Sequence, residues 1–309
     1  MNRPNVAFSW YGGKAKQLNW LLPLLPKCHH YVEPFGGAAS VLLNRDPSPL
    51  ETYNDLNGEI VNFFKVLRTL PDELIRKLFL TPFAREEYRV AITPPLEDIS
   101  DLERARRFYV NVQSSQRALI HNNTIGNWAP SKDSSTRGMA RMVSGYFKGV
   151  EGLGKIATRL LRVQIENRPA LEILSRYDSP DTLFYCDPPY LFGTRSETDN
   201  YTFEMTDDDH RAFAEVVNKC QAKVAISGYD HALMDELFPL GKWYKTVGEP
   251  KGIPSSNKRT IRTEVLWTNY NPSAQATLFN KIDTSLPVIY YNSNNVLNDS
   301  SADSKIVRP

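Results

Sequence analysis

The sequence feature that most constrains the fold is an apolar run that ends abruptly in two prolines. The run from Leu183 to Cys186 is followed without a gap by the segment Asp187–Tyr190, which contains Pro188 and Pro189. Proline lacks a backbone N–H and fixes its own φ angle, so two in succession cannot continue a helix or a central strand. The run therefore predicts a buried strand that continues as a stiff, extended loop. In α/β sheets, ligands bind in loops at the carboxyl ends of strands.

Other strand-like runs alternate with segments of helical periodicity. Strand patterns occupy residues 31–33, 51–54, 163–166, 182–186, 223–227 and 263–268. Helical patterns occupy residues 18–25, 56–67, 170–176 and 207–219. Such alternation predicts a mostly parallel sheet covered by helices on both faces. Residues 71–162 differ, because they are helical and loop-rich and show no convincing strand pattern.

These patterns predict one α/β fold with an insertion. A chain of 309 residues is long enough for two units of about 150 residues. We assign residues 1–70 and 163–272 to a discontinuous α/β domain and residues 71–162 to a helical insertion. Residues 273–309 are rich in Ser, Asn and Asp and are predicted to be a flexible tail.

The net charge of +2 conceals two basic segments. Between Asp101 and Arg168 there are twelve Lys and Arg against five Asp and Glu, a local charge of +7. Residues 242–262 hold six basic residues against Glu249, and their Gly and Pro content predicts a basic loop. Two basic segments are expected where phosphates are contacted from two sides of a cleft, although a solvated charged face has the same composition.

Several classes of protein are disfavoured by the sequence. No apolar run approaches the roughly 20 residues that span a bilayer, and the amino terminus lacks a signal-peptide pattern. The three cysteines are scattered without CxxC spacing, which indicates a reducing compartment and no structural zinc. We expect a cytoplasmic protein that does not contact a membrane.

The first predicted strand runs into a glycine turn, Gly36-Gly37, that we expect to lead into a short helix. Glycine there lets the backbone pass close to a ligand. Asp55 follows the second strand, where a carboxylate can accept both hydroxyls of a ribose. This arrangement suits a nucleoside-containing cofactor, although such turns also need glycine for structural reasons alone.

The segment Asp187–Tyr190 can present two acceptors and an aromatic ring to an amine. An exocyclic amino group on a purine is a poor nucleophile because its lone pair is delocalised. The Asp187 carboxylate and the Pro188 carbonyl can hold both amino hydrogens and leave the lone pair facing an electrophile. Tyr190 can stack on a base that has left its helix. A rigid turn that merely caps the strand is the structural alternative.

Four ordered motifs give the chain a family resemblance. Trp10–Lys14, Glu33–Gly37, the basic helical insertion and Asp187–Tyr190 follow one another as they do in the Dam-type, D12-class adenine-N6 DNA methyltransferases. The match covers roughly residues 8–270. The resemblance implies a Rossmann-like S-adenosylmethionine-dependent methyltransferase sheet in which the insertion is the target-recognition domain. It also implies methyl transfer without a metal and S-adenosylhomocysteine as product.

The resemblance assigns roles to individual residues. Asp187, Pro188 and Tyr190 would be catalytic, and Asp55 would hold the cofactor ribose. Asn167 would meet the cofactor adenine, in a segment where Pro169 replaces an acidic residue often found in the family. The remaining cofactor-binding residues would be Trp10, Tyr11, Lys14, Glu33, Phe35, Gly36 and Asp187.

Basic and aromatic side chains are candidates for DNA contact. Arg104, Arg106 and Arg107 crowd one helix of the insertion, and Trp128 is a candidate either to press into the duplex or to be a core aromatic. In the second basic segment, the family contacts the phosphate backbone beside the target base. The predicted DNA-binding residues are Arg117, Trp128, Lys132, Arg137, Arg141, Lys251, Asn257, Lys258 and Arg259.

We therefore expect a site-specific DNA adenine-N6 methyltransferase that acts on a flipped-out adenine in double-stranded DNA. It would be a monomer or weak dimer on DNA, encoded by a bacterium or phage, with or without a partner restriction enzyme. Two alternatives stay open. The same fold can act on RNA adenine or cytosine N4, and a catalytically weak DNA-binding regulator can retain the scaffold.

Overall fold

Seven strands form one central sheet in the described part of the chain. The computed structural model describes residues 4–10, 12–95, 97–115, 128–131, 134–191, 204–254 and 259–272. Together with a separate hairpin, the described residues contain the strands β1 (His30–Glu33), β2 (Leu50–Asn54), β3 (Ser135–Thr136), β4 (Met139–Ala140), β5 (Gln164–Glu166), β6 (Thr182–Cys186), β7 (Lys223–Tyr229), β8 (Tyr244–Pro254) and β9 (Arg259–Thr268). The sheet order is β5-β2-β1-β6-β7-β9-β8, and β3 and β4 form a separate two-stranded hairpin.

The first five strands of this order are parallel, whereas β9 runs antiparallel to both β7 and β8. The helices are α1 (Leu18–Leu21), α2 (Gly58–Thr69), α3 (Pro71–Phe79), α4 (Arg85–Ile92), α5 (Asp101–Ser114), α6 (Arg141–Leu160), α7 (Ala170–Tyr177), α8 (Asp207–Val217) and α9 (Ala232–Leu237). The predicted α/β class with a mostly parallel sheet is confirmed. Among the described residues, no helix is long and apolar enough to cross a membrane.

Alternate residues of the central strands supply two separate cores, one on each face of the sheet. On β6, Leu183 and Tyr185 join a core with α2, α3, α5 and α6, whereas Phe184 and Cys186 join a core with α7, α8 and α9. Successive side chains of a strand point to opposite faces, so a strand buried on both sides must be apolar throughout. The uninterrupted apolar run that ends at Cys186 follows from this position.

The helical insertion shares the first core. The rings of Phe63 on α2 and Tyr109 on α5 stack with centroids 5.8 Å apart, and Phe8 meets Phe108 edge to face at 5.1 Å. At the other end of the insertion, Arg159 donates to Glu51 of β2 at 2.7 Å. The boundaries at residues 70 and 163 stay a prediction, and the apolar packing is continuous across them.

Three local predictions are corrected by the structure. Residues 37–44 form successive turns rather than a helix, because Ala39 adopts a left-handed φ of 53° and the Leu42 N–H is bound by a side chain. The loop-rich insertion contains the β3–β4 hairpin, whose turn residues Arg137 and Gly138 both have positive φ angles, as a type I′ turn requires. The basic segment 242–262 is largely β8 and β9 rather than a loop.

The arginines of α5 form ion pairs with neighbouring carboxylates. Arg106 is 8% exposed and binds Glu103 and Glu87, each at 2.7 Å, so the prediction that it contacts DNA is wrong. Arg104 pairs with Glu59 of α2 at 2.6 Å, and Arg107 pairs with Glu103 at 3.2 Å. These ion pairs join α5 to α2 and α4.

Glu103 is the centre of this network. Burial alone would raise its pKa, but hydrogen bonds from Arg106, Lys77 and Arg107 lower the pKa to about 2. Because the folded-state pKa is depressed, the stability that this carboxylate contributes is present above its unfolded pKa near 4.5 and is lost as the pH falls toward 2.

The glycines of α6 provide a test of the packing. A Cβ added at Gly152 or Gly154 would meet no atom within 4 Å, and a helix-interior glycine costs about 0.5 to 1 kcal/mol relative to alanine. We predict that Gly152→Ala and Gly154→Ala each raise the free energy of unfolding by about that amount, measured by urea denaturation. Gly149→Ala is the matched contrast, because its Cβ would lie 2.4 Å from the buried Tyr109 hydroxyl. A stabilising Gly149→Ala would show that α6 does not pack closely on α5.

Candidate active site

The separate sequence motifs meet in one cleft at the carboxyl edge of the parallel strands. The cleft has a volume of about 340 Å³. The predicted site residues that line it are Trp10, Lys14, Glu33, Phe35, Gly36, Asp55 and Asp187. Tyr11 lies outside the described residues. Segments that are more than 100 residues apart in the chain thus form one surface.

The glycine turn is held by the carboxylate of Asp55. Its Oδ2 accepts the Gly37 N–H and its Oδ1 accepts the Asn57 N–H, both at 2.8 Å. Gly36 is required by packing, because a Cβ there would lie 2.2 Å from the ring of Tyr53. Burial raises the pKa of Asp55 although the two N–H donors lower it. Each oxygen retains a second lone pair for a ligand.

Glu33 forms the buried end of the cleft beside Asp187. Its Oε1 accepts the Tyr31 hydroxyl at 2.8 Å and the Leu42 N–H at 2.7 Å. Burial raises the pKa of Glu33 to about 8, and these two donors only partly oppose the shift. The carboxyl group therefore binds a proton at neutral pH when the cleft holds no cation.

Lys14 connects the amino-terminal motif to the loop after β6. Its Nζ lies 2.7 Å from Asp187 Oδ1 and 3.4 Å from Glu264 Oε1, and it donates to the Gly12 carbonyl at 3.0 Å. Burial alone would lower the pKa of Lys14, but the two carboxylates raise it above its ordinary value. The ammonium is therefore charged although the residue is only 4% exposed.

One oxygen of Asp187 carries all of its described contacts. Lys14 and the Ser227 hydroxyl both bind Oδ1, the latter at 2.8 Å, and the Tyr185 hydroxyl lies 3.0 Å from that of Ser227. Within the described residues, Oδ2 has no hydrogen-bond donor. The described contacts therefore orient the carboxylate through Oδ1.

Tyr190 is buried rather than presented as an open platform. It is 7% exposed, its hydroxyl donates to Glu264, and the Lys14 ammonium lies 4.8 Å from its ring centroid. Tyr229 meets the same ring edge to face at 4.7 Å. Base stacking on Tyr190 stays a prediction, and it requires a local rearrangement. Pro188 and Tyr190 border a small hollow with Ser227 rather than the main cleft.

The family is decided by comparison with known proteins. The model of the D12 class N6 adenine-specific DNA methyltransferases matches residues 10–250, which include the cleft motifs up to Asp187. The chain belongs to this family. The predicted Rossmann-like methyltransferase fold and DNA adenine methylation are thereby confirmed.

Relatives with named activities agree with this assignment. The chain is 27% identical to a DNA adenine methylase of Salmonella typhi over 281 residues, which cover 88% of this chain and 97% of the relative. It is 28% identical to a DNA adenine methylase of Vibrio cholerae over 74% of this chain and 80% of the relative. It is also 23% identical to the Type II methyltransferase M1.LlaDCHI of Lactococcus lactis over 84% and 94%.

In this methyltransferase, Asn167 lies outside the cleft lining. Its side-chain amide donates to the carbonyls of Asp55 at 2.7 Å and Leu56 at 3.2 Å. It therefore braces the segment after β2. The cleft at this end is lined instead by Leu56, Asn57, Pro169, Ala170 and Leu171.

Sequence reasoning missed part of the methyltransferase site. Met205, which precedes α8, and Asp209 and Phe213 on α8 line the cleft without belonging to any motif. Glu264 was also missed, although a single carboxylate beside the apolar run Val265–Trp267 is a detectable signal. Ser227 lies in a segment that sequence alone could not distinguish from sheet core.

The predicted DNA-binding residues lie on three structural features. Arg137 forms the β3–β4 turn, where it pairs with Glu151 at 3.2 Å, and Arg141 begins α6, both exposed. Trp128 is partly buried against Phe83 at 6.1 Å between ring centroids. Arg85 also lies over the Trp128 ring, at 4.8 Å.

Lys251 lies on β8 and Arg259 lies on β9. Both belong to the half of the β8–β9 hairpin that lies beyond Glu264, the last β9 residue to pair with β7, where it is opposite Tyr229. That half therefore extends past the carboxyl edge of the sheet, where the cleft lies. Arg117, Lys132, Asn257 and Lys258 fall outside the described residues.

The raised pKa of Glu33 predicts how the free energy of unfolding depends on pH. Its folded-state pKa of about 8 exceeds the ordinary 4.5, so the folded state binds more protons between these values and stability falls as the pH rises. Glu33→Gln mimics the protonated form. We expect it to raise the free energy of unfolding by an amount that is small near pH 5, grows as the pH rises and is complete above about pH 8. Urea titrations across this range would contradict the assignment if the two proteins had parallel pH profiles.

Proposed function

We propose that the cleft binds S-adenosylmethionine and that Asp187 presents the N6 amine of a flipped-out adenine to its methyl group. The observation that carries this proposal is the orientation of Asp187 on the wall of the cleft. Lys14 and Ser227 both hold Oδ1, which leaves Oδ2 for an amine hydrogen. A carboxylate oriented before the substrate arrives costs no reorganisation during the reaction.

The residues present fit the proposed cofactor. Apolar side chains at the Leu56 and Pro169 end suit an adenine ring, and Asp55 lies between this end and the glycine turn to accept ribose hydroxyls. Glu33 and Asp187 provide carboxyl groups for the methionine ammonium at the other end. A volume of about 340 Å³ falls within the range of small-molecule sites.

The cofactor, when bound, supplies an electrophilic methyl group. Asp187 Oδ2 and the Pro188 carbonyl accept the two N6 hydrogens, which localises the nitrogen lone pair. Ser227 and Lys14 keep the carboxylate in place. The site lies in a cleft at the carboxyl edge of the sheet, so a base within a duplex reaches it only after it has left the helix.

Double-stranded DNA would be contacted by the exposed arginines of the insertion and by the distal half of the β8–β9 hairpin. Phosphate contacts of this kind fix affinity and register. Trp128 is partly buried and packs against Arg85 and Phe83, so we assign it to this interface only as a support for neighbouring backbone.

The catalytic assignment is tested with Asp187→Asn, which preserves shape but removes the charge. Single-turnover methylation should fall by at least about 100-fold, the scale for losing a preorganised partner of the reacting group. Titrations of S-adenosylmethionine and DNA should show smaller changes in affinity. Asp235→Asn, an exposed carboxylate paired with Lys245, is the control. If Asp187→Asn retained its turnover, Asp187 would have no role in the mechanism. The product tests the substrate: N4-methylcytosine or methylated RNA would favour one of the alternative substrates.

The DNA interface is tested with Arg137→Gln and Arg141→Gln. Each should weaken DNA binding and reduce the slope of log affinity against log salt by about 0.9 for every phosphate that the protein no longer neutralises. Arg211→Gln is a matched control, because Arg211 is equally exposed and also paired, with Glu236 at 2.6 Å. Equal slopes for all three variants and the wild type would mean that Arg137 and Arg141 belong to a solvated face.

A further inference from the structure

The site contains a buried carboxylate, Glu264, to which the motifs and the mechanism above give no role. It lies on β9 beside an apolar run and is 7% exposed. Burying a carboxylate costs free energy unless its partners compensate. Its two hydrogen-bond or ion-pair partners among the described residues belong to the active site. The Tyr190 hydroxyl donates to Oε1, and Lys14 Nζ lies 3.4 Å from the same oxygen.

Lys14 poses an electrostatic problem for chemistry at Asp187. Its ammonium lies 2.7 Å from Asp187 Oδ1, so the two charges alone sum to zero. During transfer the N6–carbon bond forms as the sulfur–carbon bond breaks, and the bonding electrons return to sulfur. Positive charge therefore passes to N6, which afterwards loses a proton to Asp187 or to water. A neutral Lys14–Asp187 pair attracts that developing cation less than a carboxylate does.

We propose that Glu264 is a positioning residue whose negative charge offsets that of Lys14 and preserves the attraction of Asp187 for the developing cation at N6. With Glu264 included, the three groups carry a net charge of −1. The same carboxylate fixes the Tyr190 hydroxyl and so holds the ring beside Lys14. This inference rests on the catalytic role of Asp187 proposed above.

The decisive variant is Glu264→Gln, which keeps the size of the side chain and an oxygen that accepts from Tyr190. We expect the single-turnover methylation rate to fall at least about tenfold, less than for a group that touches the reacting atom. The affinities for S-adenosylmethionine and DNA should stay within about twofold, since neither ligand contacts Glu264 in this scheme. Tyr190→Phe removes only the hydrogen bond and should cost less than Glu264→Gln.

A double-mutant cycle with Lys14→Gln separates charge compensation from packing. Lys14→Gln alone is expected to lower the rate. Adding Glu264→Gln to it should lower the rate by less than about threefold, because no ammonium remains to be offset. An equal loss from Glu264→Gln with and without Lys14 would overturn the inference. If Glu264→Gln alone does not fold, the methylation rates of Lys14→Gln and of the double variant are compared. A rate in the double variant that is more than about tenfold below that of Lys14→Gln would overturn the inference.

Urea unfolding of the ligand-free variants gives a second readout. Glu264→Gln should destabilise the protein that retains Lys14 more than the protein with Lys14→Gln, and equal effects would show that the two charges do not interact. The two proposals fail separately. If Asp187→Asn retains turnover, the proposed mechanism is wrong. If Asp187→Asn loses turnover but the effects of Glu264→Gln and Lys14→Gln are independent of each other, only the inference about Glu264 is wrong.

Discussion

The carboxyl edge of the sheet depends on one buried ammonium. Lys14 reaches Asp187 after β6 and Glu264 on β9, so three segments that are remote in the chain share a single cation. Removing one partner of a buried ion pair typically costs about 3 to 5 kcal/mol, because the remaining charge is left uncompensated. Loss of one member of this cluster is therefore expected to change both the arrangement of the cleft and the stability of the protein.

Side chains, rather than a regular helix, organise the floor of the cleft. Glu33 and Asp55 bind backbone N–H groups of the segment between β1 and α2, and Asn54 donates to the carbonyls of Pro34 and Arg168 at 2.8 and 3.0 Å. These polar groups satisfy backbone N–H and C=O groups that the turns of this segment leave unpaired. The same carboxyl groups line the cleft, and burial raises the pKa of both, so the fold disfavours their charged forms unless a cation binds beside them.

The insertion shows how composition can mislead. Its excess of arginine is typical of a nucleic-acid-binding surface, yet Arg106 is buried and paired with two glutamates. Arg159 of α6 likewise binds the buried side chain of Glu51 on β2. A summed charge cannot distinguish a cation that meets phosphate from one that meets a carboxylate of a neighbouring helix. Arg137 and Arg141 remain as exposed candidates because they lie on the hairpin turn and at the start of α6.

The sequence by itself determined the five parallel strands, the sheet-core part of β9, the Gly36-Gly37 turn and the loop after Cys186, and its ordered motifs indicated the family. Each of these depends on backbone limits and periodicity that act between near neighbours. Only the tertiary structure decided the partners of Lys14, the place of Asn167, the burial of Glu264 and the hairpin in the segment 242–262. These outcomes depend on contacts such as Lys14 with Asp187 and Tyr190 with Glu264. Their partners are 74 or more residues apart, and burial rather than local pattern selects them.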